Sequence, residues 1–286
     1  MTKLTTTKTD NAMMQPAPAE MAPEAVRAMA QVQGQVIMAR QFPRDTNQAY
    51  TTIMQSCTRM GLAESGMYSY SRGGSPITGP SIRLAEAMAQ AWGNLDFGWA
   101  EVERADGGAV LEAWCWDLQT NVRKPVRFFV KHERHTRNKA PKALTDPRDI
   151  YELNANQAAR RVRQCILAIL PGDIVEDAVA KCRETVERGD GTPIADRVRK
   201  MVASFADLGV SAPMLEARLG HSLDVTAAGE LADLIAVYRT LKDNPNRRGE
   251  FFDVKDSAKS RALQALEPAQ VEPSSVTIES ANEVQA

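Results

Sequence analysis

LDFGWAEVERADGGAVLEAWCWDLQTNVRKPVRFFVK, residues 95–131, is the stretch whose reading decides the fold. Apolar, β-branched and aromatic residues alternate with polar ones through LDFGWAEVER, AVLEAWCWDL and VRKPVRFFVKH, the period of half-buried strands. Asp106, Gly107 and Gly108 make the first break and Gln119, Thr120 and Asn121 the second. Turns this short join antiparallel neighbours, so the stretch is predicted to fold as a three-stranded antiparallel β-meander. Pro125 removes a ladder donor near the start of the third strand and suits an edge or a bulge.

Upstream, the apolar spacing predicts helices from about Glu24 to Pro43 and from about Asp45 to Met60, the second stopping at Gly61. MYSYS (67–71) reads as a short strand, and RGGSPITGP (72–80) as a loop or hairpin tip. Ser81 can cap a helix, SIRLAEAMAQAW, that ends at Gly93 and Asn94. Downstream, residues 132–147 form a polar, basic loop, DIYELNANQAARRVRQCILAIL a long helix broken by Pro171 and Gly172, and IVEDAVAKCRETVERG another helix.

The expected class is α+β, an antiparallel meander and hairpin sheet with helices on one face, in the order ααβαβββαα over residues 24–188. RGDGTP (188–193) reads as a linker, after which three short amphipathic helices make a small C-terminal helical domain over 189–253. Residues 1–23 are expected to be a flexible arm. Residues 254–286 are expected to be a disordered acidic tail, since positions 264–286 hold four Glu and neither Lys nor Arg.

Charge is distributed unevenly. The 286 residues sum to −1, yet residues 123–163 carry twelve Lys or Arg against four acids, a balance of +8. Self-repulsion opposes such a concentration unless the partner is a polyanion, and a nucleic-acid backbone is the usual one. No run of about 18 apolar residues spans a membrane, and the first twenty residues lack the apolar centre of a secretory signal. Cys57, Cys115, Cys165 and Cys182 are scattered without metal spacing and read as small buried hydrophobes in a reducing, cytoplasmic compartment.

A search for catalytic chemistry finds little. There is no phosphate loop of the G-x-x-x-x-G-K-[ST] type, and RGGSP (72–76) lies between the wrong elements to serve as one. His132, His135 and His221 lack further donors at ligand spacing. Asp96, Glu101, Glu103, Glu112 and Asp117 lie on the strands; they are either a solvated face or the acids of a metal-dependent nuclease. The reading adopted is a non-enzymatic protein with no cofactor and no metal.

Binding residues are better marked. Arg160, Arg161 and Arg163 cluster on the long helix, with Arg160 and Arg163 on one face and Arg161 turned about 100° from Arg160. Glu152 is too far back to pair with them at i,i+4, so phosphate contact is preferred over a locally paired, solvated face. Lys131 and the loop residues Arg134, Arg137, Lys139 and Lys142 extend the basic surface. Tyr68 and Tyr70, beside Arg72 and the glycine-rich loop, either pack in the core or stack on a base or sugar.

Two blocks, GPSIRLAEAMAQAWGNLDF and QAARRVRQCILAIL, together with the order of elements over residues 25–253, resemble the phage single-strand annealing proteins of the RecT and lambda Beta type. The core of that family is related to eukaryotic annealing recombinases. The resemblance implies ATP-independent annealing of complementary DNA strands on a homo-oligomeric ring or filament. It implies a groove lined by Lys and Arg from the hairpin, the basic loop and the long helix. Arg160 matches a basic groove position five residues before Cys165. A second basic position, two after that cysteine, is Leu167 here, so its contact is absent or supplied by Arg161 or Arg163. Arg83 and Lys131 fall in groove-lining elements by order alone. The family's small C-terminal domain recruits a phage exonuclease or the host single-strand-binding protein. Arg197, Arg199, Lys200, Arg247 and Arg248 would suit an acidic peptide there, or be an ordinary solvated face. A general single-strand-binding protector would share this charge pattern. A weaker alternative is a phage assembly protein that binds packaged DNA.

Overall fold

The computed structural model describes residues 23–72, 75–134 and 140–252, so the expected N-terminal arm and acidic tail lie outside the described residues. In chain order the elements begin with α1 (Pro23–Gln41), α2 (Thr46–Cys57), α3 (Met60–Ser65), β1 (Met67–Arg72), β2 (Ser75–Pro80) and α4 (Ile82–Trp92). The meander follows as β3 (Leu95–Ala105), β4 (Gly108–Asp117) and β5 (Val122–Lys131), then β6 (Glu133–Arg134), β7 (Lys142–Ala143) and α5 (Pro147–Ile169). The chain continues with α6 (Gly172–Arg188), α7 (Ile194–Asp207), α8 (Ala212–Leu219), α9 (Ala228–Asp243) and α10 (Arg248–Phe251). The fold is α+β, with antiparallel sheets packed against helices.

Contacts divide the chain into two units, one comprising residues 1–50 with 89–169 and the other 51–88 with 170–286. The first holds the meander, in strand order β3-β4-β5. Asp106 and Gly107 form its first turn, with Gly107 at φ +72°. Gly108 belongs to β4 and must be glycine for a different reason. A Cβ there would sit 2.3 Å from the Phe129 ring and 2.5 Å from the Val130 carbonyl. Along β4, Ala109, Leu111, Ala113, Cys115 and Asp117 are buried while the residues between them are half-buried. The buried row faces α5, where Ala109, Leu111, Val130 and Ala158 form a cluster. β5 is an edge strand, which accommodates Pro125 as expected.

In the second unit β1 pairs antiparallel with β2, from Met67 opposite Pro80 to Arg72 opposite Ser75. SPITGP, expected with the preceding RGG to be a loop or hairpin tip, is instead the strand β2. A two-stranded ribbon has free outer edges, where proline costs no ladder bond. The chain also turns at Thr58, whose hydroxyl donates to the Gln55 carbonyl at 2.7 Å. The helix expected to stop at Gly61 is therefore two helices, with Gly61 inside α3. Phe205, Leu215, Leu234, Val237 and Leu241 centre the core that α7, α8 and α9 share. The contacts do not divide at the 188–193 linker, since α9 also packs on β1, α3 and α6.

All four cysteines are free and buried. Burial pushes the Cys115 thiol up to about 12, helped by the nearby Cys165 and Asp117. Among the described residues no helix is long and apolar enough to cross a membrane.

Candidate nucleic-acid interface

The described residues of the basic stretch supply consecutive elements of the first unit: β5, the β6–β7 pair and α5. By sequence that unit carries eighteen Lys and Arg against fourteen acids, +4, and the other seventeen against twenty-two, −5. Net positive charge therefore resides with the meander and α5.

Register sorts the β5 cations by face. Arg123, Arg127 and Lys131 pair with Trp116, Glu112 and Gly108, so they point away from α5. Lys124 pairs with Cys115 and points toward α5. Edge strands often carry lysine and proline merely to block strand addition, which accounts for part of this composition. Glu112 closes on both Arg123, at 3.3 Å, and Arg127, and Arg123 also stacks on Trp116 at 5.9 Å.

Within the loop expected over 132–147, β6 and β7 pair antiparallel. Arg134 lies opposite Lys142 in the β6–β7 ladder, and the Leu144 N–H donates to the His132 carbonyl at 2.8 Å. Arg134 also meets Asp149 at 3.3 Å, while Lys142 is exposed. Arg137 and Lys139 lie outside the described residues. α5 starts earlier than its apolar pattern suggested because Asp146 caps it, accepting from the N–H of Arg148 at 2.8 Å and of Asp149 at 3.3 Å, with Pro147 at the first helical position.

On α5, Ala158, Val162, Cys165 and Ile166 form the buried stripe. Arg161 flanks that stripe, lying over the Phe128 ring at 4.9 Å and donating to Gln157 at 3.3 Å. Arg160 is exposed and Arg163 half-buried, farther round the helix. The expectation of an unpaired arginine cluster is corrected here: all three have partners within the chain. What the geometry retains is a set of cations along the open β5 edge, the β6–β7 pair and the neighbouring helix. Lys124, Lys131, Lys142 and Arg160 are exposed among them.

Tyr68 and Arg83 belong to the other unit. The Tyr68 ring lies against Gly79, where a Cβ would come within 3.1 Å of its hydroxyl, so one ring face is already covered. Arg83 is half-exposed and 3.8 Å from Asp243. The side chains of Tyr70 and Arg72 lie outside the described residues.

Of the five cations assigned to partner binding, two hold helix ends. Arg197 donates to the carbonyls of Val186 and of Glu187, the latter at 3.2 Å, closing α6. Arg248 donates to the Leu208 and Gly209 carbonyls at 3.3 and 3.2 Å, closing α7. Arg247 pairs with Glu250 at 2.7 Å and Arg199 with Asp196 at 2.9 Å. Lys200 lines a cavity of ≈ 330 Å³ beside Asp196, Tyr238 and Lys242.

The strand acids are dispersed. Asp96, Glu103 and Glu112 lie on the face away from α5, and Glu101 and Asp117 on the α5 face. Glu101 holds Arg104 at 2.7 Å, which keeps its carboxyl below the usual range, and Asp96 accepts from the Trp114 indole at 2.8 Å. Among the described residues no three His, Cys, Asp or Glu gather as metal ligands. Comparison with protein-family models, curated proteins and solved structures found no match.

Proposed function

We propose that this chain is an ATP-independent single-strand DNA annealing protein, cytoplasmic and homo-oligomeric, of the RecT and lambda Beta kind. The observation carrying the reading is the segregation of charge: residues 123–163 balance to +8, and the described residues among them belong to one unit. Cations along the β5 edge, the β6–β7 pair and α5 would hold one strand by its phosphates and leave its bases open. Neutralising phosphates lowers the repulsion between strands, and base pairing then supplies both free energy and sequence selection. No nucleotide and no metal enters that mechanism. The second unit would engage a phage exonuclease or the host single-strand-binding protein, with Arg199 and Lys200 the cations best placed to meet an acidic peptide.

Binding of a fluorescent oligonucleotide, followed by anisotropy across a salt series, tests the reading. Contact with four to six phosphates predicts a log–log slope of about −3 to −4. A flat response, or no binding at low salt, contradicts it. Cleavage of the oligonucleotide in Mg²⁺ or Mn²⁺ would instead favour the nuclease.

A further inference from the structure

We propose that the cavity between α7 and α9 is the docking site of this chain's own acidic segment, residues 264–286. The inference rests on that cavity and on the sequence of the segment, and it does not depend on the nucleic-acid reading.

The cavity, ≈ 330 Å³ in volume, lies wholly within the second unit. Met60 of α3, Met201 of α7 and Leu231, Ile235 and Tyr238 of α9 give it an apolar wall. That volume is at the small end for ligand cavities, enough for an apolar side chain and the backbone beside it. Most of its charges are already matched. Glu64 meets Arg239 at 2.9 Å and Asp196 meets Arg199 at 2.9 Å. Asp190 accepts from the Thr192 N–H at 3.1 Å, under the charge of Arg197. Lys200 on α7 and Lys242 on α9 are left over. Both are exposed, and among the described residues neither forms an ion pair. The Nε of Arg239 is buried and, among the described residues, has no acceptor. This set calls for an extended peptide that carries apolar side chains beside carboxylates and offers Arg239 a backbone carbonyl.

The sequence holds such a peptide. Leu266-Glu267-Pro268 recurs five residues later as Val271-Glu272-Pro273, and Ile278-Glu279 follows. Each proline disfavours a helical conformation at the Glu before it, so the two side chains ahead of it diverge, one to enter the cavity and one to reach a rim ammonium. Positions 264–286 lie outside the described residues and hold four Glu against no Lys or Arg, the charge that Lys200 and Lys242 lack. Charge alone would also draw the segment to the first unit, but the apolar residue before each of these Glu calls for a recess as well as a cation. Reach is sufficient. The described residues end at Phe252, whose ring packs on Phe205 at 5.8 Å, and Phe205 packs on the cavity residue Tyr238 at 5.5 Å. Fourteen residues lead from Phe252 to Leu266, up to about 46 Å of extended chain. Such a tether holds the segment near the cavity at an effective concentration on the order of millimolar, so weak contacts suffice. An acidic partner peptide seeking Lys200 would first have to displace it.

The test applies a carbodiimide, which joins a carboxylate to an ammonium only where the two already meet, to the unaltered full chain without DNA. Mass spectrometry is expected to find amides from Glu267 or Glu272 to Lys200 or Lys242, formed within single chains when isotope-labelled and unlabelled copies are mixed. No such amide, links between copies only, or tail glutamates joined only to lysines of the first unit such as Lys124, Lys131 or Lys142 overturn the proposal. Hydrogen exchange of the full-length Lys200→Gln, Lys242→Gln protein gives a second reading. Both lysines are exposed, so circular dichroism should not change. Amides across 264–275 should exchange severalfold faster than in the unaltered chain, and equal exchange would overturn the docking. Because neither measurement contains DNA, failure here is distinct from failure of strand binding.

Discussion

Asp117→Ala is expected to destabilise the protein by about 3–5 kcal/mol, the cost of leaving one member of a buried ion pair alone. Asp117 Oδ1 meets Arg44 Nη2 at 2.5 Å, and both side chains are 7% exposed. The same oxygen accepts from the N–H of Gln119 at 3.0 Å and of Thr120 at 3.3 Å, fixing the turn between β4 and β5. Arg44 lies over Trp92 at 5.1 Å, and its backbone N–H donates to Gln119 at 2.9 Å. One carboxylate thus joins the end of α1, the end of α4 and the meander. Its removal strands a guanidinium whose Nε already lacks a protein partner. Urea unfolding measures the loss, and Arg44→Met in the Asp117→Leu background should recover part of it. A loss below about 1 kcal/mol would place the pair in solvent-screened surroundings.

Replacing Arg160 and Arg163 together by alanine is expected to weaken single-strand binding roughly tenfold at physiological salt. Each lost phosphate contact removes about 0.7 from the log–log salt slope, so the slope should become shallower by about 1.4. Neither residue is fully buried, and the buried stripe of α5 passes through Ala158, Val162, Cys165 and Ile166 instead, so thermal unfolding should hardly change. Arg161→Ala is a different experiment. It strips the Phe128 ring of its cation and so mixes packing with charge. Equal affinity and equal slope in a folded Arg160→Ala, Arg163→Ala protein would remove α5 from the interface.

The meander was legible because its signals are local. Strict alternation, the Asp106–Gly107 turn and the edge proline all act within a few residues, and the register observed follows from them. Ser81 likewise announced α4, its hydroxyl accepting from the Leu84 N–H at 3.3 Å. β2 was missed because Pro76 and Gly79 oppose strand propensity, and only pairing with β1 overrides them. At the candidate interface, sequence showed which residues are basic but not which carboxylates would meet them. Glu112 is eleven residues from Arg123, and Asp149 fifteen from Arg134. Such pairs depend on register and loop return rather than on helical spacing. Arg197 and Arg248 show the same limit, because a helix-closing role depends on carbonyls of another helix.

The most direct measurement is the rate at which two complementary oligonucleotides, one carrying a fluorophore and the other a quencher, pair in the presence of the protein and no nucleotide. The account predicts faster quenching than with DNA alone, fading steeply as salt rises and diminished in the Arg160→Ala, Arg163→Ala protein. Quenching slowed by a protein that binds both strands would identify a protector of single strands and contradict the account.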